Sequence, residues 1–95
     1  DQLSEDEAIR FDGACRALER GELERAHELL VELAQRHPVH VAIGLWLQEA
    51  QLERLIGEGR TREEALGALR ERWLEQALAR PSPRSWVLAA RLAPT

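Results

Sequence analysis

The sequence contains no lysine, methionine, tyrosine or asparagine, and it has one phenylalanine and one cysteine. A lone Cys15 cannot close a disulfide within the chain, so no oxidising compartment is implied and the cytoplasm is the default expectation. β-Branched residues are sparse and alanine, leucine, glutamate and arginine dominate, a bias that argues strongly against a β-rich fold. No apolar run approaches the ~20 residues of a membrane span, and Asp1-Gln2-Leu3 has neither the basic flank nor the apolar stretch of a signal sequence. Membrane insertion of this segment is therefore not expected. The missing initiator methionine points to a piece of a longer protein. Thirteen arginines without a lysine suggest a GC-rich bacterial genome rather than a chemistry.

What is present suits one small domain covering residues 1–95. Hydrophobic residues make up 44% of the chain, too many for a disordered segment and enough for a modest core. The net charge of −4, with arginines interleaved among acids, offers phosphate no basic stripe and disfavours nucleic acid as a partner.

Helical punctuation recurs along the chain. Ser4-Glu5-Asp6-Glu7 is a capping box, and the stripe Ala8, Phe11, Cys15, Leu18 that follows predicts a helix over 4–20, halted by Gly21. Leu23, Ala26, Leu30 and Leu33, widened by Leu29, predict a second helix over 22–37, ended by Pro38. A third helix is expected over 39–56. Its apolar surface, Val41, Leu45, Leu52 and Leu55 broadened by Ile43, Trp46, Leu47 and Ala50, is wide enough to imply neighbours on more than one side. After Gly57-Glu58-Gly59, the capping box Thr61-Arg62-Glu63-Glu64 opens a fourth helix, 62–80, with Ala65, Leu66, Leu69, Trp73 and Ala77 inward. Ser82-Pro83 then starts a fifth, 83–93, carrying Trp86, Val87, Ala90 and Leu92 and closed by Pro94. The expected core is Phe11, Leu18, Ala26, Leu30, Leu33, Leu45, Leu52, Leu69 and Trp73.

Gly21, Ala26, Leu30 and Pro38 in the first helix pair are answered by Gly59, Ala65, Leu69 and Pro81 in the second, at a period of roughly forty residues. With Leu23, and with Ala14 and Ala17 as small residues on the first helix, the segment from Gly13 to Pro38 resembles the tetratricopeptide repeat. The second pair departs from that pattern, with a long first helix, extra residues in its turn, and Arg72 where the family has a small residue. The resemblance implies an all-α fold in which antiparallel helix pairs stack as a short right-handed superhelix, about two repeats plus a fifth helix.

Catalytic and metal patterns fail on inspection. His27-Glu28-Leu29-Leu30-Val31 has Val31 where a helical zinc protease needs its second histidine. His37 and His40 read as solvent-exposed, Gly57-Glu58-Gly59 lacks the third glycine and the preceding strand of a dinucleotide loop, and Cys15 has no evident base. Trp46, Trp73 and Trp86 read as core. No enzyme activity and no cofactor are expected. The resemblance implies instead a scaffold or adaptor that binds a peptide or helix of another protein in a concave groove. Its first helices would present Phe11, Cys15, Glu19, Leu45, Glu49 and Leu52 there. Such a set lacks the cations of a carboxylate clamp and favours a segment bearing Arg or Lys. The alternative is a structural spacer or self-association element of a larger repeat protein.

Overall fold

The computed structural model describes residues 2–92, and within them the chain forms five α-helices and no strand. These are α1 (Glu5–Glu19), α2 (Leu23–Arg36), α3 (Val41–Gly57), α4 (Arg62–Ala79) and α5 (Pro83–Arg91). The expected start of α3 at Val39 is corrected to Val41, because His40 caps the helix: its Nδ1 accepts the Ile43 N–H at 3.3 Å. The expected end of α5 at Ala93 and its closure by Pro94 lie outside the described residues. Ser4 and Thr61 form both capping boxes, each accepting from the third helical N–H while Glu7 or Glu64 reaches back. Ser82 caps α5 through the Ser85 N–H.

Two kinds of link alternate. After α1 and after α3 the chain turns through a glycine with positive φ, Gly21 (80°) and Gly59 (98°). At each, the next residue's N–H reaches back to the carbonyl five residues earlier, Glu22 to Ala17 and Arg60 to Leu55. This six-to-one closure satisfies helix-end carbonyls and needs a residue without a Cβ. After α2 and after α4 the link instead passes through a residue before proline, with nearly the same dihedrals: His37 (φ −129°, ψ 67°) and Arg80 (φ −136°, ψ 76°). Proline's ring drives its predecessor out of helical geometry, and so ends both helices. The two glycine links thus share one backbone geometry and the two pre-proline links another.

Side-chain bonds mark the helix directions. Arg10 meets Glu32 at 3.1 Å and Glu7 meets His37 at 2.7 Å, so α1 and α2 run antiparallel. Arg54 to Glu24, at 3.1 Å, does the same for α2 and α3. By contrast α3 and α5 run parallel: His40 O accepts from Arg84 Nε, and Leu88 O accepts from Gln48 Nε2. α3 is central and touches the other four, which accounts for its wide apolar surface.

The core holds Ala26, Leu30, Leu33, Leu52, Leu69 and Trp73, as expected, together with Ile43, Leu47, Ala50, Ala65, Ala77 and Leu88. Each large aliphatic side chain buried there contributes about 1.5–3 kcal/mol. Phe11, Leu18 and Leu45 are only half-buried, packed against its margin. The inward face expected for α1 is corrected: Ala14 and Ala17 are fully buried, Ala8 is exposed, and Cys15 is half-buried. Small side chains let α1 lie close against α2, which turns its bulky residues toward the flank that meets α3. The face expected for α5 is also corrected. Leu88, Ala89 and Leu92 are buried, whereas Trp86 (45% exposed) and Val87 (53%) point outward and Ala90 is exposed. This nine-residue helix has apolar residues on both sides, and polar anchors decide which side faces in. Gln48 holds the Leu88 carbonyl at 3.0 Å and Arg70 Nε holds that of Leu92 at 2.8 Å.

Candidate functional site

α1 and α3 enclose a cleft of about 480 Å³ lined by Leu18, Glu19, Leu23, Trp46, Glu49 and Glu53, with Gly21 at its end. Leu18 and Leu23 come from the two sides of the Gly21 turn, and Trp46, Glu49 and Glu53 share one face of α3 at helical spacing. The indole of Trp46 is half-buried in this cleft and is not a core residue, which corrects the reading made for it. Carboxylates form the rim. Glu19 and Glu53 are exposed and have no ion-pair partner among the described residues. Glu49 differs, because Arg91 of α5 lies 3.6 Å from it and also donates to Gln48 Oε1 at 2.8 Å.

Of the six residues expected to face a partner, only Glu19 and Glu49 line this cleft. Phe11 lies further along α1, its ring edge-on to His40 at 6.2 Å between centroids. Leu45 is half-buried beside the core. Leu52 is 3% exposed and lines instead a smaller cavity of about 210 Å³ near Arg91, Leu69 and Leu92. Cys15 is half-buried; burial, then the Asp12 and Glu19 carboxylates, pushes its thiol up, away from the thiolate a nucleophile needs. Trp46 and Glu53 line the cleft but are not among the residues expected there. Their signal was available in the spacing, since they stand three residues before and four after Glu49.

His37 and His40 are not the solvent-exposed residues expected. His37 is half-buried with Nε2 2.7 Å from Glu7 Oε2. Glu7 accepts the Ser4 N–H and that histidine, which hold its carboxyl down at about 2. Burial, followed by the neighbouring His37, lowers His40, and burial with Arg54 lowers His27. Arg54 Nη1 lies 3.1 Å from His27 Nδ1. Among the described residues no group of three or more His, Cys, Asp or Glu is placed to hold a metal ion, and no helix is long and apolar enough to cross a membrane. Compared with family models, with curated proteins and with solved structures, the chain matches none.

Proposed function

We propose that this chain is a tetratricopeptide-like interaction module that takes an amphipathic segment of another protein into the α1–α3 cleft and performs no chemistry on it. The observation that carries the reading is Trp46, an indole left half-buried between Leu18 and Leu23 inside a rim of carboxylates. An aromatic side chain held in a cleft by its own helix loses little conformational freedom on binding, and a partner's apolar residue completes its burial. Glu19 and Glu53, with no cation of their own, select Arg or Lys beside that anchor and steer its approach. The alternating glycine and pre-proline links support the repeat resemblance.

An array of amphipathic peptides differing only in flanking charge tests this. Peptides captured by the wild-type chain should carry Arg or Lys next to an apolar residue, and Trp46→Ala should lose them while retaining its helical circular dichroism. Capture without basic enrichment, or unchanged by Trp46→Ala, refutes the assignment.

A specific observation favours the structural alternative as well. Leu74, Leu78, Trp86 and Val87, all on α4 and α5, are between 43% and 63% exposed. In a spacer or self-associating element these residues would pack on another helix pair or a second copy. Sedimentation equilibrium showing a dimer that Leu78→Glu abolishes would favour that reading, and a monomer at all concentrations would count against self-association.

A further inference from the structure

α2 and α4 both pack on α3 but not on each other: no Cα of one comes within 8 Å of the other among the described residues. The gap between them holds a cavity of about 510 Å³, and a second of about 530 Å³ adjoins it between the α2–α3 link and the corner from α4 to α5; the two share Pro38, Gln76, Arg80 and Arg84. Val31 and Ala34 of α2, Leu47 of α3 and Trp73 of α4 supply apolar lining. The chain has seventeen acidic residues, and not one of them lines either cavity. The two arginines are equally distinctive. Arg80 is exposed, and its guanidinium makes no ion pair or hydrogen bond among the described residues.

Arg84 is half-buried with its guanidinium 5.8 Å from the centre of the Trp73 ring, and it spends Nε on the His40 carbonyl at 3.2 Å. Its Nη1 and Nη2 have no partner, yet no unbonded side-chain nitrogen of a half-buried residue is sealed from solvent, so both remain reachable. Desolvation alone pushes this guanidinium down from its ordinary value, with no carboxylate opposing it. A partly desolvated cation without a counter-ion is an unfavourable arrangement that an incoming anion relieves.

We propose that the groove between α2 and α4 is a second docking surface, specific for an acidic amphipathic segment of a partner protein, whose carboxylates pair with Arg80 and Arg84 while its apolar side chains pack on Val31, Ala34 and Val39. Guanidinium forks take carboxylates in two-point contacts, and the apolar lining excludes water from them. The occupant is not nucleic acid, since a chain of net charge −4 repels a polyanion at long range. A second copy would offer chiefly the exposed apolar residues of its own α4 and α5, and its binding would depend on protein concentration alone, which the experiment below reads. The polarity is opposite to that of the α1–α3 cleft, and the inference stands independently of that reading.

Heteronuclear NMR of the whole chain separates the two sites, because the indole N–H groups of Trp46, Trp73 and Trp86 report on the cleft, the groove and the outer face of α5 respectively. The Trp73 N–H donates to Gln51 Oε1, at 2.9 Å, and Gln51 also lines the groove. The probes are two synthetic helices of about 15 residues with the same leucine stripe, one flanked by glutamate and one by lysine. The glutamate peptide should shift the Trp73 signal saturably, and Arg80→Glu should weaken that binding roughly tenfold with the circular dichroism unchanged, since the bonds Arg80 makes in the fold run through its backbone and not its guanidinium. Arg84→Gln should weaken it further. The proposal is overturned if the Trp73 signal ignores the glutamate peptide, responds equally to the lysine peptide, is indifferent to Arg80→Glu, or moves with protein concentration alone, which would make the occupant a second copy.

Discussion

Replacing Gly44 by alanine adds one methyl group where α3 and α5 lie against each other. At an open helical position that change is favourable by about 0.5–1 kcal/mol, because alanine has less backbone freedom to lose on folding. At Gly44 the new Cβ would overlap Leu88 Cδ1 and sit 2.8 Å from Arg84 Nη2. Leu88 is completely buried and cannot swing into solvent, so either α5 moves outward or Leu88 takes a strained rotamer. Overpacking of this kind costs about 1–3 kcal/mol, and displacing Arg84 from the His40 carbonyl costs about 1 kcal/mol more. The net expectation is a loss of about 1–3.5 kcal/mol, or roughly 5–25 °C in melting temperature for a chain of this size. Gly13 in α1 and Gly67 in α4 are internal controls, since a Cβ at either meets nothing within 4 Å. Gly13→Ala and Gly67→Ala should each raise the melting temperature by several degrees. Urea denaturation of the three variants makes the comparison. Adding Leu88→Ala to Gly44→Ala should cost less than the sum of the single changes, the mark of a relieved collision. If Gly44→Ala stabilises the chain as much as Gly13→Ala does, the packing of α5 on α3 described here is wrong.

Ala26 is fully buried on α2, so Ala26→Trp should abolish cooperative thermal unfolding; an unchanged melting curve would show that the α1–α2 pair is loosely packed. His40 is held below 6.5 in the fold, so the native state binds fewer protons than the unfolded one and stability should fall as pH drops through and below 6.5. His40→Asn keeps a capping acceptor without the titration and should flatten that dependence, leaving the slope due to His27, which is shifted the same way; an identical slope in the variant refutes the assignment. Glu7 is lowered from 4.5 to about 2, so its contribution is complete above 4.5 and disappears as pH falls toward 2. Glu7→Gln should make acid unfolding over that interval shallower, and circular dichroism against pH reads it directly.

The helices were legible because the signals that start and stop them are local. Ser4 with Glu7, Thr61 with Glu64, Gly21, Gly59, Pro38 and Pro81 each act within a few residues of where they stand, and each acts in the fold as its type requires. The start of α3 was less legible because histidine is a capping residue only when its ring is held in place. For His40 part of that support is the Phe11 ring, from another helix. Faces were legible where one stripe of large residues exists, as in α2 and α4. They were misread in α1, where alanine is the residue a close crossing needs yet carries little weight in a hydrophobic pattern. In α5 the apolar residues surround the helix, and Gln48 and Arg70, on other helices, choose the buried side.

Charge at the candidate sites depends on the same long-range partners. Glu19 and Glu49 could be placed on neighbouring first helices by counting, but not the fact that Arg91 reaches Glu49 from α5 and offsets its charge, leaving Glu19 and Glu53 as the unpaired anions of the cleft. Arg84 makes the point more strongly. By sequence it is the second residue of a short helix, a position of no special promise. Folding sets it over Trp73, beside the missing side chain of Gly44 and next to an acid-free groove, so that three contacts from two other helices and a link give it its character. Pattern reading ranks residues by type and spacing, and therefore favours the acids, which are many. The fold ranks them by what remains unpaired after packing, and by that measure the arginines of the α2–α4 groove stand level with the glutamates of the α1–α3 cleft.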